Sequence, residues 1–355
     1  MAKKRKAKHG SAKIISTIIM IILVVGAVLW FFGGKPYVEL GAEGVSLVQT
    51  EEPLAKTIAD ILKGEEQPQS QLVSESESAP KVASAPKAAS AADQGYEEND
   101  PLFLGNPTDA LTDIAFDSNY LMVKTQYTLS YNAQTFCPNW VAWHLANQDM
   151  GKADRSDDFR ADPELPEAWY AIKKADYQYN KYGFDRGHVC PSADRTATKT
   201  DNSMTFLMTN MVPQSPDNNR IIWMHFENFE RELVNAGNEL YLIAGPYGSG
   251  GTSSKGTFEE IPVTLKSGQT VHMNVPAYTW KVLLAIPEGE DDLSRLDSAT
   301  AIAINVPNKM GMQKTGDWEQ FLCSIDEIEG LTGYDFFELL SDEIEDKLEA
   351  FVYTR

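Results

Sequence analysis

Four short runs in the chain carry the residue types that could do chemistry together. Asp185-Arg186-Gly187-His188 comes first, followed by Pro191-Ser192-Ala193-Asp194-Arg195. Met208-Thr209-Asn210-Met211-Val212-Pro213-Gln214 comes next, and then Asp217-Asn218-Asn219-Arg220 with Trp223, Glu227 and Arg231. A neutral imidazole can take a proton from water near pH 7, because its reference pKa is about 6.5. An Asn oxygen near a positive helix N-terminus can serve a hard cation that keeps most of its waters, as Mg²⁺ prefers. The same helix end suits phosphate oxygens. A base, a cation and several arginines are the parts needed for phosphodiester hydrolysis: water attacks in line while positive groups hold the developing charge.

These groups need a scaffold, and the surrounding pattern supplies one. Apolar residues at Ile222, Trp223, Phe226, Phe229, Leu233 and Val234 recur close to the helical period and predict a helix over 217–236. Asp217 or Asn218 can cap its start, and Gly237 fits its end. In an α-helix the eight steps from Asn219 to Glu227 leave about 80° of net rotation, so the two lie on adjoining sides. Gly187 allows a tight backbone turn before His188. Phe206 to Met211 is strand-like, as are Leu240–Ala244, Tyr278–Ile286 and Ala301–Val306. Ser324 and Glu327 form a capping box for a later helix. Strands and helices without regular alternation indicate an α+β fold.

This set of motifs resembles the DNA/RNA non-specific endonuclease family, the ββα-metal nucleases with an Asp-Arg-Gly-His motif, of which mitochondrial endonuclease G is a more distant relative. The likeness is dense from Asp185 to Arg231. It extends to Asn139-Trp140-Val141-Ala142-Trp143, to Arg155–Pro163 and to Gly330–Phe337, and so spans roughly residues 100–350. It implies a central antiparallel sheet flanked by helices, with a ββα-metal element on one side. It implies DNA and RNA as substrates and Mg²⁺ as cofactor, with Mn²⁺ able to take its place. By the same resemblance His188 is the general base and Asn219 the direct Mg²⁺ ligand, with Asn218 as the cap. Glu227 supports the metal-bound waters, alone or while paired with Arg231 four residues on. Arg155 holds the phosphate or leaving oxygen, ahead of the competing Arg160. Arg186 either buttresses the site through a salt bridge or touches substrate. Asn210 holds the His188 loop or a phosphate, and Asp185 is structural. Trp223 belongs to the core rather than to a base-stacking platform, and His225 has no role.

Residues 14–32, Ile14 to Phe32, form an uncharged apolar run of membrane-spanning length behind a basic stretch that begins at Lys3. The positive-inside rule makes 1–13 a cytoplasmic tail and places the catalytic region outside the cytoplasm. Trp30-Phe31-Phe32 reads as an interface belt, so an uncleaved single transmembrane helix is expected, with a secreted form after cleavage near Gly34 as the rival. Residues 33–99 read as a juxtamembrane segment and disordered linker, with a short helix around Pro53 to Lys63, and 100–355 as the nuclease domain.

The formal charge is −20, an awkward sign for a phosphate binder. The acidity is uneven, however: 151–231 holds 11 basic and 13 acidic residues, whereas 232–355 holds 8 and 21. Cys137, Cys190 and Cys323 make no CxxC pair, which argues against a zinc knuckle, and allow at most one internal disulfide. Two other readings stand beside hydrolysis of nucleic acid: a catalytically silent nucleic-acid-binding module on the surface, and a phosphodiesterase acting on other diesters.

Overall fold

The computed structural model describes residues 37–41, 44–48, 96–312 and 317–355. The chain forms two compact units, Met1–Val82 and Ala83–Arg355. In the first, β1 (Tyr37–Gly41) pairs antiparallel with β2 (Gly44–Val48). Reading 33–99 as juxtamembrane segment and linker assigns no strand there; tyrosine and valine are strand formers, and glycine bounds both segments. The apolar run 14–32 and the helix expected around Pro53 to Lys63 lie outside the described residues. Among the described residues no helix is long and apolar enough to cross a membrane.

The second unit is built on a seven-stranded sheet in which every neighbouring pair is antiparallel. From one edge to the other its strands are Leu322–Cys323 (β15), Thr300–Pro307 (β14), Tyr278–Pro287 (β13), Asn238–Tyr247 (β8), Cys137–Leu145 (β5), Thr128–Asn132 (β4) and Tyr120–Val123 (β3). Three of these were legible as strands in the sequence, each shorter by one or more residues. Short pairs complete the unit: Asp185–His188 (β6) with Met211–Gln214 (β7), Gly251–Ser253 (β9) with Gly256–Phe258 (β10), and Glu260–Thr264 (β11) with Thr270–Asn274 (β12).

Both faces of the large sheet are covered, which is why its central strands read as almost continuous apolar runs. Alternate residues serve opposite faces. Trp143, Leu242, Leu283 and Ile304 pack toward the side that carries Ile222, Phe226 and Val234 of the long helix. Trp140, Ile243, Leu284 and Ala303 face Leu102, Ile325, Phe336 and Leu348 on the other side. Half of the expected capping box is present: the Ser324 hydroxyl accepts from Glu327 N–H at the head of helix Ile325–Thr332, and Gly333 ends that helix at φ +74. The sheet thus presents one face to the β6–β7 pair and the long helix, where the sequence motifs converge.

Candidate active site

The Asp185-Arg186-Gly187-His188 motif forms β6, a strand rather than a turn and loop, in register with β7: Asp185 opposite Gln214 and His188 opposite Met211. Gly187 therefore is not there to turn the chain. A Cβ at this position would collide with the Gln214 side chain, so the glycine admits close approach of a buried glutamine. Gln214 in turn donates from Nε2 to Asn218 Oδ1 at 2.9 Å, and Asn218 donates from Nδ2 to Thr279 Oγ1 at 2.9 Å. Asn218 is fully buried and acts as a strut between β7 and β13, not as the helix cap. Asp217 does not cap either; its carboxylate accepts from Gly311 N–H at 2.7 Å. Phe206 to Met211, expected as a strand, contains a 3₁₀ turn at Met208–Asn210, and β7 begins only at Met211.

The helix over 217–236 is present, but its first part, Asn218–Trp223, is π-helical and passes into an α-helix at Met224–Asn235. A π turn is wider, so each step rotates less than the α-helical step. Under-winding between Asn219 and Trp223 removes part of the 80° offset expected for an ideal helix. Asn219 and Glu227 consequently line the same cleft. That cleft, about 330 Å³, is also lined by Arg155, Arg186, His188, Ser192, Arg220 and Arg231.

Asn219 is oriented by a partner on the motif strand. Its Nδ2 donates to Asp185 Oδ2 at 2.9 Å, because a carboxylate only accepts. Arg220 closes on the same carboxylate from Nε (2.7 Å) and Nη2 (2.6 Å), so Asp185 is held by a two-pronged ion pair. The Asn219 Oδ1 is left without a hydrogen-bond donor among the described residues. Asp185 is structural in a specific sense: it fixes which atom Asn219 offers to the cleft.

His188 packs between aromatic rings, 4.7 Å from Phe206 and 5.6 Å from Phe159 by ring centroids. Its Nε2 is sealed from solvent and has no hydrogen-bond partner among the described residues. Burial first, then the guanidiniums of Arg155 and Arg186, push its pKa down to about 3. Arg155 is tethered by Nη1 to Ser192 Oγ (2.7 Å) and by Nε to Asp157 (2.8 Å), with its guanidinium over Phe206. Arg160 turns away to Asp158 and the Ser203 carbonyl, each at 2.8 Å, and does not line the cleft. Arg186 makes no salt bridge among the described residues; its guanidinium lies 4.6 Å from the Phe159 ring centre.

Packing decides between the alternatives at two positions. Asn210 is placed to hold the His188 segment rather than a phosphate. It is fully buried, its Nδ2 donates to the carbonyls of Cys190 and Thr205 and its Oδ1 accepts from Cys190 N–H, all at 2.9 Å. It is a clamp on the chain just after His188 and not a catalytic group. The Glu227–Arg231 pair does not form either: Arg231 instead reaches Asp194 Oδ1 at 2.6 Å and Asn228 Oδ1 at 2.8 Å. Glu227 is free to face the cleft, and burial, opposed by Lys281 and Arg231, pushes it up to about 7. Trp223 is buried core, as the sequence suggests, and His225 is exposed. All three cysteines are buried free thiols.

The sequence reading missed a buried ion pair beneath the cleft. Lys281 of β13 is fully buried, with Nζ 2.9 Å from Glu230 Oε1 and 4.7 Å from the Trp223 ring centre. The signal was visible in principle: a lysine inside the apolar run of β13, and a glutamate on the apolar face of the helix one turn after Phe226.

Residues 106–343 match the sequence profile of a family described as DNA/RNA non-specific endonuclease. Over 250 residues the chain is 43% identical to a nuclease of Nostoc sp., covering 70% of this chain and 84% of that protein. It is 28% identical over 237 residues to a nuclease of Serratia marcescens, covering 66% and 80% respectively. It is 30% identical over 216 residues to the human mitochondrial nuclease EXOG, covering 60% of this chain and 55% of that protein. Among solved structures, the crystal structure of the EndoG/EndoGI complex matches with a TM-score of 0.52 at 22% identity, over 73% of this chain and 95% of that one, which shows a shared fold.

Proposed function

Since the chain belongs to the DNA/RNA non-specific endonuclease family and is a nuclease, we propose that it hydrolyses DNA and RNA with His188 as general base and one Mg²⁺ held by Asn219. The observation that carries this reading is the cleft itself. An Asn oxygen whose amide partner is already fixed, a glutamate without a paired cation, a neutral imidazole and four arginines share one open cavity. This donor set fits a hard cation that keeps water ligands, with Asn219 holding it and Glu227 accepting from its waters. When bound, such a cation supplies charge neutralisation at the phosphate, and Mn²⁺ has ligand preferences close enough to replace it.

The protein's own groups do the rest. With Nε2 sealed off, Nδ1 is the His188 nitrogen that can meet a water in the cleft. In the free enzyme Arg155 and Arg186 depress the base. A bound diester anion offsets those two charges and moves His188 back toward a useful basicity. Arg155 and Arg186 bind the phosphate oxygens and hold the charge that grows as the bond breaks. Asp185, Asn210 and Ser192 keep Asn219, the His188 segment and Arg155 in place. The full set speaks against a silent binding module, which needs no base aimed at water.

Two measurements check these assignments. Glu227 takes up a proton as the pH falls through about 7, whereas His188 stays neutral down to about 3. A protonated Glu227 cannot accept from metal-bound water. The Mg²⁺ concentration for half-maximal plasmid cleavage should therefore rise below pH 7, by up to roughly tenfold per pH unit if one proton is displaced. Raising Mg²⁺ should restore the rate down to about pH 5. At subsaturating DNA, where the groups of the free enzyme set the profile, a loss near pH 6.5 that Mg²⁺ does not reverse would point to ordinary His188 titration and sink the assignment. The second test is Asp185→Asn, which frees the Asn219 amide to flip. It should weaken Mg²⁺ by about 10–100-fold, read from the Mg²⁺ dependence of the rate, with smaller change at saturation. An unaltered Mg²⁺ dependence would show that Asp185 does not orient the ligand.

The location remains a proposal of the sequence: Ile14–Phe32 anchors the chain in a membrane with the nuclease domain outside the cytoplasm. Accessibility of the domain to protease in intact cells tests it, and full protection would refute it.

A further inference from the structure

The most acidic part of the chain gathers charge at one point far along the sequence from the motif residues. Asp326 and Glu329 lie three residues apart on helix Ile325–Thr332, and Glu349 is the last residue of helix Asp342–Glu349. One carboxylate oxygen from each can be chosen so that all lie within 4.8 Å of one another. None of the three has a Lys or Arg at ion-pair distance among the described residues. Glu349 is only 6% exposed, and its Oε1 is sealed from solvent without a hydrogen-bond partner among the described residues. Glu329 is held in place by Phe336 N–H, which donates to its Oε1 at 2.7 Å. The Glu329 and Glu349 side chains hydrogen-bond to each other, which needs a shared proton; without that proton, a buried carboxylate facing two more is unfavourable unless a positive ion joins them.

We propose that Asp326, Glu329 and Glu349 bind a calcium ion that fastens the C-terminal helix onto helix Ile325–Thr332. Oxygen ligands at 2.3–2.6 Å from one Ca²⁺ can be up to about 4.6–5.2 Å apart, which accommodates this cluster across its whole spread. Mg²⁺ demands octahedral order and gives up its waters reluctantly, so three clustered carboxylates suit it less well. The exposed Asp326 leaves an open side for the waters that complete a calcium shell. Glu349 lies beyond residues 106–343, the part of the chain that matches the family profile. Its role is mechanical: closing it ties the last helix to the far face of the sheet, away from the cleft.

The test uses the full chain carrying Asn219→Ala, which removes the proposed cation ligand of the cleft, and calorimetric titration with CaCl₂ at pH 8. Uptake of one Ca²⁺ per chain is expected, in the roughly 10⁻⁴–10⁻³ M range of extracellular calcium modules, together with a rise in Tm. Adding Asp326→Asn, a change at an exposed position, should weaken uptake at least about tenfold without altering the calcium-free Tm, since it removes one of three ligands. Adding Glu349→Gln should abolish uptake and raise the calcium-free Tm by relieving repulsion. No uptake up to roughly 10 mM, tenfold above the weak end of that range, would overturn the proposal. So would uptake indifferent to both substitutions. If Glu349→Gln is stabilised while no variant binds calcium, Glu329 and Glu349 share a proton and the ion is refuted. A nuclease that fails to cut would leave this result untouched, because the readout is binding and stability.

Discussion

Replacing His188 with alanine is expected to lower the rate of phosphodiester cleavage by about 10²–10⁴-fold, the usual contribution of a positioned general base. The fold should survive. The ring packs on Phe159 and Phe206, and its removal forfeits those contacts. It also removes a buried Nε2 that has no partner, which offsets part of the loss. No hydrogen bond of the Asn219–Asp185–Arg220 set involves His188, so the Mg²⁺ dependence of the residual rate should be unchanged. Single-turnover cleavage of a defined duplex at saturating Mg²⁺, with circular dichroism for folding, reads both parts. A folded alanine variant that cuts within a few-fold of the wild type would remove His188 from the mechanism.

The second large effect concerns stability. Lys281→Met should destabilise the nuclease domain by about 3–5 kcal/mol, because it strands Glu230 as an uncompensated charge in the core. Both side chains are fully buried, and burial already drives Glu230 upward in pKa against the pull of Lys281. At about 2–4 °C per kcal/mol for a domain of this size, Tm should fall by roughly 6–20 °C. The double replacement Lys281→Met with Glu230→Leu should recover much of this, since a well-packed apolar pair avoids both desolvation costs. Thermal unfolding of the three proteins decides the matter. If the single variant melts like the wild type, the pair is not ionised, and the base beneath the cleft has been misread.

How far the sequence could be read depended on the range of the interactions. His188, Asn219, Glu227, Arg155 and Arg186 all line the cleft as the motif pattern required, because the residues that hold them sit in or next to the same short segments. Helix 217–236 and the strands at 240, 278 and 301 were legible because one apolar period runs through each. Misreadings arose where side chains meet across the fold. Gly187 was assigned to a turn, but its partner is Gln214, 27 residues on in the opposing strand. Asn218 was assigned to a cap, but it bridges to Thr279 over a separation of 61 residues. The four-residue spacing allows Arg231 to pair with Glu227, but it prefers Asp194, a buried acceptor 37 residues away. The π-helical stretch at Asn218–Trp223 has no simple sequence signature. It arises where this end of the helix is fastened to β6, β7 and β13 together, and it alters the very rotation on which the placement of Asn219 and Glu227 depends.

The acidic body also becomes intelligible. Much of the negative charge of the C-terminal third lies on the helices covering the far face of the sheet, so it need not oppose phosphate at the cleft. The cleft is lined instead by Arg155, Arg186, Arg220 and Arg231. Binding should therefore rest on short-range contacts, with little long-range steering.

The most direct test of the central claim is a cleavage assay of the wild-type chain. Plasmid DNA, a structured RNA and a small chromogenic phosphodiester would each be incubated with it at low salt, once with Mg²⁺ and once with EDTA. Degradation of both polymers with Mg²⁺, and of neither with EDTA, is the predicted result. Degradation that persists in EDTA, or hydrolysis of the small diester while DNA and RNA stay intact, would contradict a metal-dependent nuclease built on this cleft.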